Sequence, residues 1–395
     1  MYHIFQHWKH QDHYLYRYAM VVFLYAILNG IVSFILPVYL EETIPSLTIV
    51  GLILASSSIW NIVTDFVLGL AKKSPSYRGL TQLVGMILFG LFIMIWLHVH
   101  IVTLIIATVL WGVYTELFTF ANFDYVVVSS CKEDRAGHFG LMTNFRSLGF
   151  AIAPIMIGVA VAEDKKIALF TGLFFSICMI VLFQIQLWQK KLPDPIIVKP
   201  KRRNLIAHLK LWKSIGHKMA IYLWVYFVRG VADGVLTSFV PIFVEMKQEL
   251  KLYGGFIVAG LSLPTAFVSG YFGSLADRFG RTKFILLGIF ISAVTLLFFG
   301  FVSNPYLAII LSLFIGVGYS LYSPALEAEM GEYVAKHHSQ EAEAESESGI
   351  VYNLGFIVGA GLTGLLVSIL GGFGPAFAIL GLLYGVVGLR FWIRK

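Results

Sequence analysis

Twelve predominantly apolar runs, each of 18 residues or more, follow one another along the chain: 17–40, 46–71, 80–97, 101–128, 138–162, 167–188, 218–244, 253–276, 283–302, 305–328, 348–371 and 373–393. A helix needs about 20 apolar residues to cross the hydrocarbon core of a bilayer. Backbone in lipid must satisfy its own hydrogen bonds, and these runs lack the period-2 alternation of a barrel strand. Each therefore predicts a transmembrane helix. Composition points the same way. Hydrophobic residues make up 58% of the chain and charged ones 13%, against about 25% charge in a soluble domain. Such a chain cannot cover a water-exposed surface with polar groups, so the expected class is an all-α integral membrane protein. The first 16 residues are polar and His-rich, and the first run is long enough to span. It reads as a retained helix, not a cleaved signal peptide.

Lys and Arg on alternate sides set the orientation. The side bearing both termini carries 23, nine of them between Lys190 and Lys218; the other carries Lys165, Lys166, Lys247 and Lys251. The positive-inside rule then predicts a multi-pass protein of the plasma (inner) membrane with both termini cytoplasmic. The net charge of +7 reports this loop bias and not a nucleic-acid partner. Cys131 falls in a loop and Cys178 in a helix, which implies no disulfide framework.

An internal repeat organises the runs. Residues 30–41, GIVSFILPVYLE, match residues 234–245, GVLTSFVPIFVE, at an offset of 204. The pairs Gly51 and Gly255, Gly69 and Gly273, and Gly112-Val113 and Gly316-Val317 keep that offset, and Leu148-Gly149-Phe150 matches Leu354-Gly355-Phe356 at 206. The expected organisation is an N-terminal six-helix bundle (1–188), a cytoplasmic linker (189–217) and a C-terminal six-helix bundle (218–395). The halves are parallel and related by an axis along the membrane normal. The linker is Pro-rich and basic at its front. Its back, roughly 204–215, reads as an amphipathic interfacial helix or as a plain basic loop.

Between the eighth and ninth runs stands GSLADRFGRTK, residues 273–283. It closely resembles the cytoplasmic signature of the major facilitator superfamily, G-x-L-A-D-R-x-G-R-[KR]. The resemblance implies that family's fold, twelve transmembrane helices in two pseudo-symmetric bundles. It also implies a latch between the halves in the outward-facing state, formed by Gly273, Asp277, Arg278, Gly280 and Arg281. The first half has its counterpart at Gly69, with Lys72 where the pattern has an acid. A motif of drug–proton antiporters is half present as Gly149, Ala153, Pro154 and Gly158.

Ionisable residues inside a span cost at least ~2.5–3.5 kcal/mol each at the bilayer centre, so they face water and carry function by default. Glu116, Arg146, Arg229 and Asp233 sit well inside runs, with Asp65 and Asp124 nearer the cytoplasmic face. Glu116 and Asp233 are the expected proton carriers. Arg146 and Arg229 are expected to hold an anionic substrate or to act as counter-ions. Arg229 and Asp233 lie at i and i+4, which also allows a static pair. Asn29, which matches Asp233 in the repeat up to one residue before the shared Gly, and Asn353 are candidate polar contacts of the cavity, as are Tyr319 and Tyr322. Tyr114, Phe118, Phe120 and Phe123 read as an aromatic wall or as packing.

No nucleotide-binding Gly-Lys-Ser/Thr loop and no nucleophile constellation occurs, so an enzyme is not expected. His3, His7, His10 and His13 share a helical face, but no metal site or cofactor is assigned. The acidic run 341–347 reads as a solvated helix start. The expected function is secondary active transport of a small organic solute by alternating access, coupled to protons, with a lean to efflux or antiport of amphipathic compounds. Proton symport of a sugar or organic acid is an alternative, since Glu116 with Arg146 resembles, at different spacing, the sugar-binding pair of the lactose permease type. A non-transporting receptor or lipid-handling scaffold is the other. The expected partners are a small-molecule substrate, protons and the bilayer, with a monomer as the functional unit.

Overall fold

The structure is a computed structural model that describes residues 13–70, 76–130, 135–189, 192, 205–336 and 341–394. Twelve long helices follow in order: α1 His13–Thr43, α2 Leu47–Leu70, α3 Tyr77–Leu97, α4 Ile101–Ser129, α5 Arg135–Glu163, α6 Lys165–Trp188, α7 Leu205–Met246, α8 Gly254–Phe279, α9 Arg281–Phe299, α10 Pro305–Lys336, α11 Glu341–Leu370 and α12 Phe373–Arg394. Among the described residues, 12 helices are long and apolar enough to cross a membrane, as the apolar runs predict. His3, His7, His10, Cys131, Lys72 and Lys73 lie outside the described residues, as do the side chains of His13 and 341–347.

Local chemistry sets the breaks. Pro305 opens α10 at the position where its missing N–H costs nothing. Gly280, at φ 103°, ends α8 and starts α9 in a conformation that a β carbon disfavours. Asp124, on α4, accepts the backbone N–H of Tyr77 at 2.8 Å and so satisfies the first turn of α3. That is a structural duty. Asp124→Ala should lower stability by ~1 kcal/mol, as loss of a helix cap does, and thermal unfolding in detergent will show it while solute binding stays unchanged.

The back of the linker takes the helical one of its two expected forms and runs straight into the seventh span. Helix α7 is 42 residues long and begins at Leu205, inside the segment assigned to the linker. The prolines of the linker stop at Pro200, and Leu205–His217 holds helix formers with one glycine. Nothing there interrupts the helix before the seventh span.

The repeat has a physical basis in close helix approach. A β carbon on Gly149 of α5 would lie 2.5 Å from the carbonyl oxygen of Phe23 on α1. Its partner Gly355 of α11 would lie 2.0 Å from that of Phe227 on α7. A second pair joins the first six helices to the last six. A β carbon on Gly51 of α2 would meet the Ala360 oxygen of α11 at 2.5 Å, and one on Gly255 of α8 would meet the Pro154 oxygen of α5 at 2.1 Å. Small residues at such crossings let membrane helices pack backbone to backbone.

Those crossings close one end of the molecule. At the same end, Lys165 at the start of α6 bonds Glu42 of α1 and lies 3.6 Å from Glu245 of α7, which Lys251 approaches at 2.6 Å. Thr48 of α2 reaches Ser368 of α11 at 3.0 Å. At the opposite end, where α1 begins and α12 finishes, Gly137 and Gly140 of α5, Gly270 of α8 and Gly349 of α11 have open space where a β carbon would stand. Close crossings between the two sets of helices therefore lie at one end, and none is made at these glycines of the other. The cleft between them opens on the side that bears both termini.

Candidate functional site

The charged residues that lipid would reject gather at the depth of this cleft. Arg229, on α7, takes its partners from other helices. Its Nη1 donates to Oε1 of Glu327 on α10 at 3.1 Å. Its guanidinium lies over the rings of Tyr319 at 5.1 Å and Tyr352 at 5.8 Å, a cation–π sandwich that holds a cation away from bulk water. Its Nε is buried with no acceptor. Asp233 accepts a hydrogen bond from the Tyr352 hydroxyl at 2.9 Å. No ion pair joins Arg229 to Asp233 among the described residues, because partners from α10 and α11 outbid the i,i+4 geometry.

Arg146, on α5, is exposed. It lies within electrostatic range of Tyr25 on α1, Asp233 on α7 and Tyr319 on α10. The repeat places it opposite Tyr352 at offset 206, as it places Tyr25 opposite Arg229 at offset 204. Each half thus supplies one arginine and one tyrosine at equivalent positions, with the roles exchanged. Glu116 on α4 and Asp65 on α2 are half-buried and interact electrostatically with one another. Among the described residues, Glu116 forms no ion pair with Arg146.

Several expected cavity residues have packing duties. Oδ1 of Asn29 accepts from Trp111 Nε1 at 3.1 Å and from the Tyr114 hydroxyl at 3.0 Å, which ties α1 to α4. Phe118 stacks on Tyr25 with ring centroids 3.5 Å apart, and Tyr114 meets the same ring edge-on. These two rings are helix core and not a binding wall. Tyr322 is buried, its hydroxyl 3.2 Å from that of Tyr384. Asn353 joins the two sets of helices. Its Oδ1 accepts from Asn61 of α2 at 3.4 Å, and Asn61 in turn accepts from Thr115 of α4 at 2.9 Å. This polar chain crosses from the first six helices to the last six.

The 8–9 loop is held within the last six helices. Arg281 Nε donates to Oδ1 of Asp277 at 2.7 Å and its Nη1 to the Ala328 carbonyl of α10 at 3.2 Å. Asp277 and Arg278 are exposed. Gly273 leaves room for Pro324 of α10, 3.4 Å from where a β carbon would stand. Of Gly69 only the helical backbone is described.

Glu327, Tyr352, Asn61 and Tyr25 join the candidate site through these contacts. The repeat offsets carried the signal for Tyr352 and Tyr25. Glu327 falls at the end of the tenth apolar run, where an acid is ordinary.

A repeated twelve-helix bundle around a charged cleft, closed at one end, defines a class of polytopic membrane protein. A family model described as Major Facilitator Superfamily matches residues 18–271 and 246–395. The chain belongs to the Major Facilitator Superfamily, a family of membrane transporters and not of enzymes. It is 28% identical over 160 residues to Multidrug resistance protein 2 of Bacillus subtilis (strain 168), across 39% of each chain. It is 20% identical over 286 residues to the Multi-drug resistance efflux pump PmrA homolog of Lactococcus lactis subsp. lactis (strain IL1403), across 69% of each. The match thus spans about two fifths of the Bacillus relative's length. In fold, the chain is similar to the nucleoside transporter NupG, with a TM-score of 0.73 at 14% identity over 96% of this chain and 98% of that one. It is also similar to the human organic anion transporter MFSD10, with a TM-score of 0.68 at 13% identity over 95% and 99%. At these identities the likeness is one of fold.

Proposed function

We propose that this protein is a secondary active transporter that moves a small organic solute by alternating access, driven by protons, in a plasma membrane with both termini cytoplasmic. The observation that carries the reading is the cleft itself. It is sealed at one end by backbone crossings and the Glu42–Lys165–Glu245–Lys251 ion pairs, open at the other, and lined at its depth by charges from both sets of helices. A binding site exposed to one side at a time is what alternating access requires. Glu116 and Asp233 are the proton carriers in this scheme. A carboxylate between tyrosine and arginine gains or loses a proton as water and charge around it change. Release of the Asp277–Arg281 loop from α10 to bridge the halves would then mark the other state.

The relatives' names support efflux of amphipathic compounds as the direction. Proton symport of an organic acid is the second reading, favoured by the exposed Arg146. Proteoliposomes with an internal pH dye test both. Adding amphipathic dyes and organic acids outside should alkalinise the interior under antiport and acidify it under symport, relative to protein-free vesicles. No pH change with any solute of the panel would refute proton coupling, and no solute flux at all would refute transport.

A further inference from the structure

Two arginines from opposite halves stand over one cleft, and the protein satisfies neither fully. Arg146 is exposed and forms no hydrogen bond or ion pair with another described residue. It nevertheless lies inside a span, where an unmatched cation is costly. Arg229 uses Nη1 on Glu327 and has no acceptor for its buried Nε. Both guanidiniums lie in electrostatic range of the same two groups, Asp233 of α7 and Tyr319 of α10. Asp233 is also held by Tyr352, and Glu327 reaches only Arg229 of the pair among the described residues. The guanidinium of Arg146 therefore keeps N–H donors that no described residue takes.

A planar guanidinium recognises a carboxylate or sulfonate through paired N–H donors. The rings of Tyr319 and Tyr352, which flank Arg229, offer flat apolar faces beside that charge. We propose that the cleft binds an aromatic organic anion, its carboxylate or sulfonate held between Arg146 and Arg229 and its ring against Tyr319 and Tyr352. The inference rests on the reading of this cleft as the transport site, and it names the substrate class. An anion clamped by one arginine from each half would also draw the halves together around it.

The test uses the purified full chain and two probes with one ring system and opposite fixed charges, 2-naphthalenesulfonate and 2-naphthylmethylammonium, measured by calorimetric titration. The sulfonate should bind at least tenfold more tightly. Arg146→Gln should weaken the sulfonate ten- to hundredfold and leave the ammonium unchanged or tighter, and Arg146→Lys should recover part of the loss. Arg146 holds no other described residue, so these variants should keep the parent's melting temperature. Arg229→Gln should give the same charge-selective loss, and its ammonium binding serves as the check on folding. Equal or tighter ammonium binding by the parent, no sulfonate binding, or a sulfonate affinity untouched by Arg146→Gln would overturn the proposal. Proteoliposome flux separates it from the reading beneath it. Movement of the ammonium alone would sink the anion site and leave transport standing. Binding of the sulfonate without flux would leave the anion site and sink transport.

Discussion

Asp233→Asn should uncouple solute movement from the proton gradient, cutting gradient-driven flux about a hundredfold, toward the top of the range of site-to-site coupling. Exchange of solute against solute, which needs no net proton movement, should persist. Asn preserves the size of the side chain and can still accept the Tyr352 hydroxyl bond seen at 2.9 Å, so the fold should survive. What is lost is a charge that both arginines feel and a proton that can be gained and given up. Glu116→Gln should act in the same direction. Counterflow and pH-driven uptake, measured on the same vesicles, separate coupling from binding. Full pH-driven flux in both variants would show that neither carboxyl carries the proton.

Gly255→Val should abolish transport by preventing closure of the sealed end. The added β carbon would lie 2.1 Å from the carbonyl oxygen of Pro154 and 3.0 Å from the α carbon of Gly158. Both are backbone atoms of α5 and cannot swing aside as a side chain can. The helices must separate instead, and the ion pairs of Lys165 and Glu245 nearby open with them. In a background without native cysteines, Thr48→Cys reports on this. An impermeant maleimide added on the sealed side should label it slowly in the parent and quickly in the Gly255→Val protein. Parent-like labelling and flux would mean that this crossing is not part of the seal.

The twelve spans and the repeat were legible because each rests on a strong local signal. Lipid demands long apolar helices, and backbone crossings demand glycine at fixed offsets, so Gly149 and Gly355 stand out in sequence as they do in space. Charges in spans were legible for the same reason. Which partner each charge takes was not. Spacing suggested Arg229 with Asp233, but the choice depended on Glu327 and Tyr352, brought from α10 and α11 by tertiary packing. Asn61 was missed because neutral polar residues are common in membrane helices and their hydrogen bonds across helices leave no periodic trace. Asn29 and Tyr114 show the reverse case. Their chemistry suits a cavity, but the α1–α4 contact consumes it.

Helix α7 is a rod of 42 residues, ~63 Å long at helical rise, and its one proline, Pro241, stands between Glu245 and Asp233. The same rod holds Glu245 in the sealed end and Asp233 at the binding depth, and it runs on past the span that begins at Tyr222. Leu205 stands about 42 Å along the axis from Asp233, so a tilt of about 5° around the site sweeps the projecting end through roughly 4 Å. Whatever grips that end, headgroups or another protein, is mechanically in touch with the charge state at the centre.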